Sequence, residues 1–469
     1  MGESLVSLFR TSFNHSVRVN VSELDLTEDV GALLLREASK RTGLDQLLAE
    51  LPDARDQEQV YYSFPELLLT RILMLAQGWQ DQGDAKLLRK DTAFRVSIAD
   101  RKGDAPLQED FELPSQPTLW RMQHALASVE GTVALNQVLL QQGLQRIRRA
   151  DPKRRWLTLD LDTTHFEVHG RQDGASYNSH YRCVCFQPLL VFAETGDLLA
   201  IQLRPGGNPT AEESFQFMKP VLEAAQKLGF SICLRMDAGF SNAHMMRECD
   251  RMRVRFITRL KTTDALHRQT EAWYQRTLAG WRADPAKDGK PRSETFEIWE
   301  KPSKGSRIRR IVAVAVEPDA GQLFGRRFFL CTNFARPEHG SAAILAHYRK
   351  RGTAEVYIGE YKACLLPSLR AVPRGNKPGT VTILDNNVTT LLAALAYNLM
   401  HTLRLGVEAK TEEGWSLSRL RERLLKAATQ VVRHARQIEF RISKVKAVLW
   451  AALEYVVCDV AAVTGEVAR

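Results

Sequence analysis

Three acidic residues stand where phosphoryl-transfer chemistry would need them. Asp162 and Asp237 each end an apolar, strand-like run, and Glu355 lies in a helix-like stretch further along the chain. A carboxylate at the end of a buried strand is fixed by the sheet, while its oxygens reach the sheet's open edge. Such oxygens can hold a pair of Mg²⁺ ions about 3.5–4 Å apart, which stabilise the attacking and leaving oxygens of an in-line displacement. We therefore expect a two-metal site at these three residues.

The chain is basic overall, which favours a polyanionic partner. Its 469 residues carry a net charge of +10, with 44% hydrophobic and 26% charged residues. These proportions are ordinary for a soluble globular protein of several domains, and nucleic acid is the natural phosphoryl substrate of a basic chain. The seven cysteines show no CxxC pair and no zinc-type spacing, and no apolar run is long enough for a membrane span. We therefore expect a cytosolic protein without a structural zinc.

Changes in hydrophobic periodicity divide the chain into five segments. The second segment contains three strand-like runs, a helix, and then alternating strands and helices. That order is typical of an α/β fold with a ribonuclease-H-like mixed sheet and flanking helices. The predicted segments are a helical DNA-end-binding region, the first part of the catalytic domain, a β-rich insertion, the second part of the catalytic domain with the glutamate helix, and a helical C-terminal region, at 1–150, 151–261, 262–332, 333–400 and 401–469. Helices are expected near the C-terminus at 388–405, 417–440 and 447–463.

The segment from Tyr348 to Lys362 is expected to form one helix with a functional stripe. At about 100° per residue, Tyr348, Arg351, Glu355 and Lys362 fall within a stripe about 60° wide. Two glycines fall close to the same stripe. Each costs about 1 kcal/mol in a helix interior, and each could let a phosphate backbone come close. The alternative is that Glu355 simply pairs with Arg351 at i,i+4 spacing, as on many exposed helices.

The pattern Tyr-x2-Arg-x3-Glu-x6-Lys in this segment resembles the signature of DDE transposases of the bacterial insertion-sequence 4 superfamily. Other motifs are similar to those of the insertion-sequence 1380 family within that group, and the resemblance covers roughly residues 20–400. These motifs lie at 78–91, 115–119, 160–164, 169–172, 203–208 and 235–240. The sequence departs from the usual pattern at Trp79, Thr163 and Phe166, none of which is a proposed ligand.

This resemblance implies a transposase that cuts and joins DNA strands. Asp162, Asp237 and Glu355 would be the catalytic triad, holding two Mg²⁺ ions, for which Mn²⁺ is expected to substitute. The phosphates of the transposon end would be contacted from the same helix, by Tyr348, Arg351 and Lys362. The implied partners are double-stranded DNA, as terminal inverted repeats and as target, and a second copy of the chain in a homodimeric synaptic complex. The protein would be associated with the nucleoid when bound to DNA.

Further candidate DNA contacts are basic and aromatic side chains outside the helix. A run of arginines and lysines at 146–155 precedes the first strand of the second segment, and beside a metal site phosphate contact is a better interpretation than a solvated linker. The aromatic residues of 262–332 could form that segment's core, or one of them could stack on an unpaired base at a DNA end. The candidates are Arg154, Arg155, His169, Arg171, Arg235 and Trp299.

Asp160 is the rival of Asp162 as a metal ligand. It lies two residues earlier, so on a strand it points to the same face but sits deeper. The motif match with Thr164 favours Asp162, although spacing alone does not decide between them. His165 and His169 are better read as contacts to phosphate or to the ligands, because Mg²⁺ sites built from oxygens rarely need imidazole.

Two other functions remain as alternatives. A ribonuclease-H-like nuclease or resolvase would cut DNA without joining it to a second duplex. A non-catalytic DNA-binding protein would bind DNA equally with and without Mg²⁺. A metabolic enzyme has no support, because the chain contains no glycine-rich loop of the phosphate-cradling type.

Overall fold

The computed structural model divides the chain into two compact units. The first comprises Met1–Arg41, Pro52–Met122 and Leu399–Arg469, and the second comprises Thr42–Leu51 and Gln123–Asn398. The three candidate carboxylates all belong to the second unit. The residues described are 7–10, 18–20, 24–53, 55–99, 107, 111–284, 291–301, 307–318, 325–366, 368–371, 381–434, 437–451 and 453.

Strands and helices occur in groups along the chain. The strands are β1 (Ser7–Arg10), β2 (Arg18–Asn20), β3 (Leu26–Thr27), β4 (Trp156–Thr163), β5 (Phe166–Glu167), β6 (Ser176–Asn178), β7 (Cys183–Phe186), β8 (Leu189–Ala193), β9 (Leu198–Gln202), β10 (Ser231–Met236), β11 (Arg255–Arg259), β12 (Ser293–Glu300), β13 (Arg309–Val316), β14 (Arg326–Thr332), β15 (Thr429–Arg433) and β16 (Ile438–Ile442).

The α-helices are α1 (Gly31–Thr42), α2 (Leu44–Ala49), α3 (Phe64–Gln77), α4 (Ala85–Leu88), α5 (Thr92–Ile98), α6 (Gln116–Ala125), α7 (Val129–Ala150), α8 (Ala211–Lys227), α9 (Ala243–Arg251), α10 (Asp264–Ala283), α11 (Ser341–Arg349), α12 (Gly352–Leu365), α13 (Ile383–Thr411), α14 (Leu417–Leu420) and α15 (Lys444–Ala451). Among the described residues, no helix combines the length and the apolarity needed to span a bilayer.

The second unit is built on an eight-stranded mixed sheet with the order β12-β13-β14-β11-β10-β4-β8-β9. β10 is parallel to both β4 and β11, whereas β8 and β14 join this group in antiparallel fashion. Along the chain, β4, β8 and β9 are followed by α8, β10, α9 and β11, which is the order expected from the sequence. The result is an α/β fold with a large mixed sheet.

The two faces of β4 have opposite chemistry. Alternate residues of a strand point to opposite sides, so Leu157, Leu159 and Leu161 enter the main apolar core, which also contains buried residues of α8 and α9. The residues between them, Thr158, Asp160 and Asp162, therefore lie on the other face, which we call the polar face. The leucine face anchors the strand, and the polar face is left to carry the acids.

The segment 262–332, expected to be a β-rich insertion, contains a helix as well as strands. It begins with the helix α10, and β12, β13 and β14 then extend the main sheet. Tyr274, Leu278 and Trp281 of α10 pack together with Ala315 of β13. Their spacing of four and three residues is that of a helix face. Of the two sequence interpretations, segment core or base stacking, the burial of Tyr274 and Trp281 agrees with the first.

The expectation of a helix at 417–440 is wrong. After α14 and a π-helical turn at Arg421–Leu425, the chain forms the hairpin β15–β16. β15 pairs in addition with β3, from the start of the chain. This long-range pairing favours a strand over a helix here, and local periodicity cannot reveal it. The helix expected at 388–405 lies within α13. The helix expected at 447–463 begins within α15, which ends at Ala451, and the rest of that range lies mostly outside the described residues.

The outer edge of β9 is covered by asparagine side chains. Asn136 of α7 accepts a hydrogen bond from the amide of Ile201 at 3.1 Å and donates to its carbonyl at 2.9 Å. Asn398 of α13 makes the same two contacts with Leu198, at 3.0 and 2.9 Å. Each carboxamide thus satisfies a backbone amide and carbonyl that a further strand would otherwise pair with.

Candidate active site

Asp162 and Asp237 lie side by side at the carboxyl edge of the sheet. β4 and β10 are parallel, with Leu161 opposite Met236, so the two aspartates occupy the next matching position on strands about 4.8 Å apart. Both therefore belong to the polar face. Asp237 Oδ1 accepts a hydrogen bond from the amide of Gly239 at 2.8 Å. A Cβ at that glycine would lie 3.0 Å from the same oxygen, so a larger residue there would crowd the carboxylate.

A single guanidinium group connects Asp162 to Glu355. Arg351 Nη2 lies 2.7 Å from Asp162 Oδ2, and its Nη1 lies 3.2 Å from Glu355 Oε1. The Asp162 side chain is only 10% exposed, whereas that of Glu355 is 65% exposed. Burial raises the pKa of Asp162 to about 6, against the opposing effect of Arg351 and with a contribution from the Asp237 and Glu355 charges. Arg351 is thus the counter-charge of two carboxylates.

The single helix expected from Tyr348 to Lys362 is two helices. α11 ends at Arg349 and α12 begins at Gly352, and the amide of Arg351 donates to the Tyr348 carbonyl at 2.9 Å across the junction. This is a tighter, three-residue spacing than in an α-helix. The angular stripe drawn for one continuous helix therefore does not hold across the junction, although Arg351 and Glu355 still meet.

The polar face of β4 is paired along its whole length. Thr158 Oγ1 lies 3.2 Å from His347 Nε2, and Arg235 donates to both carboxylate oxygens of Asp160 at 2.7 and 2.6 Å. Burial nevertheless raises the pKa of Asp160. Because Arg235 occupies both oxygens of Asp160, the structure favours Asp162 as the ligand. Arg235 is itself 1% exposed and also donates to the His347 carbonyl, so its guanidinium is engaged within the protein, and a DNA contact by Arg235 stays a prediction.

Lys362 lies beyond Asp162, next to a cavity. Its Nζ is 3.4 Å from the Thr164 hydroxyl, and burial lowers the pKa of Lys362. The cavity of about 480 Å³ is lined in part by His165, His169 and Lys362. The structure therefore brings His169 to the lysine, as a phosphate contact requires, while Arg171 is an exposed residue of the same loop and does not line this cavity.

The donor chemistry of the aspartates fits a hard divalent cation. They supply adjacent oxygens from a rigid strand pair, and the buried Asp162 carboxylate calls for a positive charge beside it. In the part of the chain that the structure describes, no three acidic, histidine or cysteine side chains form a metal-ligand group. Glu355 instead contacts Arg351, so completing a triad requires this guanidinium to leave the space between Asp162 and Glu355.

A family described as "Transposase DDE domain group 1" matches residues 9–457, nearly the whole chain. The chain belongs to this transposase family. Its activity therefore lies in DNA transposition and recombination. No curated protein matches the chain.

In this transposase, the basic junction before β4 lies far from the carboxylates. Asp162 is six residues beyond Trp156, the first residue of β4, which corresponds to about 20 Å along a strand. Arg154 forms an ion pair with Glu194 at 2.9 Å, and Arg155 is exposed at the same edge. Arg154 and Arg155 therefore lie at the edge of the sheet away from the carboxylates, and their contact with DNA stays a prediction.

Trp299 is also remote from the acids. Its side chain is 62% exposed on β12, and five strand spacings separate β12 from β4, or about 24 Å. The structure therefore does not bring Trp299 to the carboxylates of the transposase. The reason is the topology of 262–332, whose strands continue the sheet outward.

Sequence reasoning missed arginines on the polar face beyond Asp237. Arg259 is the last residue of β11, and the parallel register places it beside Asp237. A signal was present, because Arg259 ends the next strand of the alternating segment just as Asp237 follows the end of β10. Arg326 and Arg349 lie close to it around one cleft.

Proposed function

We propose that this transposase binds the terminal inverted repeats of an insertion sequence and catalyses strand cleavage and strand transfer at Asp162, Asp237 and Glu355. The observation that carries the proposal is the matched position of the two aspartates at the ends of parallel strands, with Glu355 linked to Asp162 through Arg351. The Tyr-Arg-Glu-Lys spacing further supports a place in the insertion-sequence 4 superfamily, with a ribonuclease-H-like catalytic domain, and the motifs at 160–164, 203–208 and 235–240 support the insertion-sequence 1380 family within it.

Two Mg²⁺ ions, or Mn²⁺ in their place, would be held by the three carboxylates and would activate the attacking oxygen and neutralise the leaving one. The chain prepares this site by burying Asp162, whose pKa of about 6 still leaves it ionised at neutral pH. Arg351 keeps Asp162 and Glu355 together through their shared contact. When DNA binds, we propose that Arg351 turns to a backbone phosphate, which frees Glu355 to join the aspartates.

The remaining residues of α11 and α12 would position the DNA. Lys362 has a partly buried ammonium group at Thr164, from which it could donate to a phosphate oxygen. Gly352 and Gly359 have open space where a Cβ would stand, so a DNA backbone could approach α12 closely at both. Tyr348 packs against the apolar cluster beneath the polar face, where burial raises the pKa of its phenol and keeps it a neutral donor.

Transposition also places a demand on assembly. Two ends must be held together before they are joined to a target, so we propose a homodimer in a synaptic complex on double-stranded DNA. The proposed substrate places the working protein at the bacterial nucleoid.

The test is strand cutting by the purified chain on a labelled element end in Mg²⁺. Glu355→Gln should lower the cutting rate by more than about 100-fold, because a metal ligand is lost. The fold should be unaffected, since the exposed contact of Glu355 with Arg351 contributes only about 0.3–0.5 kcal/mol. Glu360→Gln, a change of the same kind on the same helix, is the matched control and should cut normally.

Three other results would replace this proposal. Normal cutting by Glu355→Gln would remove Glu355 from the catalytic set. Cutting without joining to a second duplex would favour the nuclease or resolvase. Equal DNA binding with and without Mg²⁺, together with no activity in the wild type, would favour a non-catalytic DNA-binding protein.

A further inference from the structure

A cleft of about 590 Å³ opens on the polar face, beyond Asp237. Four of its lining side chains are arginines, and among the described residues that line it none is acidic. Arg327 forms an ion pair with Glu271 at 2.7 Å, and its side chain is buried. Arg259, Arg326 and Arg349 are exposed. We call these three the arginine cleft.

The arginine cleft begins one strand away from the carboxylates. The register of β10 and β11 puts Arg259 beside Asp237, and β14 on its other side carries Arg326. With about 4.8 Å between strands, Arg259 lies about 10 Å from Asp162, and β14 about 15 Å. The rise of DNA along its axis is about 3.4 Å per nucleotide. For a duplex that lies across these strands, a distance of about 10 to 15 Å therefore corresponds to about three to four nucleotides.

Local contacts hold the arginine side chains of this cleft in place. The Arg259 guanidinium lies 5.2 Å from the centre of the Phe328 ring, and Arg349 donates a hydrogen bond to the Ser293 hydroxyl. Phe328 and Tyr348 pack against the same apolar cluster, so the floor of the cleft is continuous with the residues beside the carboxylates. A planar guanidinium held in this way can bind a phosphate with two hydrogen bonds and loses little side-chain entropy in doing so.

We propose that the arginine cleft binds backbone phosphates of the DNA on the Asp237 side of the cut. Across the strands the order is Asp162, Asp237 and Arg259, whereas Lys362 meets Thr164, two residues beyond Asp162 along the chain. Each of the two aspartates therefore has a cationic side chain near it, Arg259 beside Asp237 and Lys362 beyond Asp162. A DNA strand that crosses the aspartates is repelled by the acids, and these cations offset the repulsion. The inference rests on the proposed function, which supplies DNA as the ligand.

The test is binding of the full chain to a duplex that carries the element end and its flanking DNA, in EDTA so that no cutting occurs. The double variant Arg259→Gln/Arg349→Gln should lower the slope of log affinity against log salt by about 2, one for each lost phosphate contact. Lys153→Gln/Arg155→Gln removes the same charge at the opposite edge of the sheet, and its slope should match that of the wild type.

A neutral methylphosphonate linkage, placed at one position at a time, locates the contact. In the wild type we expect weakened binding about three to four nucleotides from the cut, and on one side only. The double variant should not respond to the linkage at those positions. An unchanged salt slope in the double variant, or an equal change in the control, overturns the proposal. A lowered slope together with normal cutting by Glu355→Gln would retain the cleft and reject the catalytic assignment, so the two failures are distinct.

Discussion

Two aspartates that lie two residues apart on β4 each pair with an arginine, and the two ion pairs differ in how firmly the arginine is held. Asp160 and Arg235 are each 2% exposed in their side chains and are joined by two hydrogen bonds. Asp162 is also buried, but its partner Arg351 reaches it from the junction between α11 and α12 and divides its contacts with an exposed glutamate. We call Asp160–Arg235 the inner pair and Asp162–Arg351 the outer pair. The inner pair is closed, because both of its side chains are buried against each other, and the outer pair can exchange partners.

The difference shows how one strand can carry both structure and chemistry. Both aspartates lie on the same face of β4, and each has an arginine beside it, so residue type alone does not distinguish them. The origin of the partner does, because Asp160 is paired with Arg235 of the neighbouring strand β10, whereas Asp162 meets Arg351 from the junction between two helices. A pair whose partner is held by backbone hydrogen bonds on both sides cannot open without unfolding.

The largest expected effect comes from breaking the inner pair. Asp160→Asn leaves the Arg235 charge buried without its carboxylate, which should lower the free energy of unfolding by about 3–5 kcal/mol. The measurement is urea denaturation at neutral pH. The double variant Asp160→Leu/Arg235→Met should regain most of the loss, because no unpaired charge remains. A cost below about 1 kcal/mol for the single change would show that the inner pair is not closed.

The outer pair should respond in the opposite direction and only at higher pH. The pKa of Asp162 is about 6 in the folded chain against 3.8 for an ordinary aspartate, so the folded state binds this proton more tightly than the unfolded state. Ionisation therefore costs stability: the cost is absent near pH 4, grows as pH rises to 6, and is complete above it. Asp162→Asn removes it and should stabilise the fold by up to about 3 kcal/mol at pH 8.

The check is urea denaturation of Asp162→Asn and wild type in EDTA at pH 4 and pH 8. Equal stability at pH 4 with a more stable variant at pH 8 is the expected pattern. A variant that is less stable at pH 8 would mean that the contact with Arg351 outweighs the cost of burial, and the two pairs would then be alike.

The smallest effect concerns the outermost layer, α12. Gly359 lies in the helix interior with open space at its Cβ position, so Gly359→Ala should stabilise the fold by about 1 kcal/mol. If the DNA backbone passes over α12, the added methyl group should also weaken binding of the element end. Gly280→Ala is the matched control, because Gly280 lies in α10 with the same open space. Equal DNA affinities of the two variants would place the DNA elsewhere.

The sequence predicted the positions of Asp162 and Asp237 in the sheet better than it predicted their surroundings. Asp162 and Asp237 could be placed because the end of an apolar run marks the end of a strand, and parallel strands end at one edge. Arg351 and Glu355 meet because their contact is local, four residues apart. The burial of Arg235 could not be foreseen, since its partner Asp160 comes from a neighbouring strand 75 residues away in the chain.

The expectations that the structure did not meet depended on strand direction, on long-range strand pairing and on local helix propensity. Arg155 adjoins the same strand as Asp162, but a strand carries its two ends apart, and the direction of the strand was not considered. The pairing of β15 with β3 joins residues from opposite ends of the chain, and no local pattern encodes it. The helix is interrupted at Lys350 and Arg351, just before Gly352, whose intrinsic helix propensity is low.

The asparagines that cover β9 limit how copies of this chain can assemble. Sheets from two molecules fuse most readily when an open strand on one finds an open strand on the other. Asn136 and Asn398 already saturate that border, so a second copy gains no backbone hydrogen bonds there. Any fusion of two such sheets would have to proceed through β12, at the other end of the strand order. Two glutamates of that strand, Glu294 and Glu300, oppose like-with-like contact by charge repulsion.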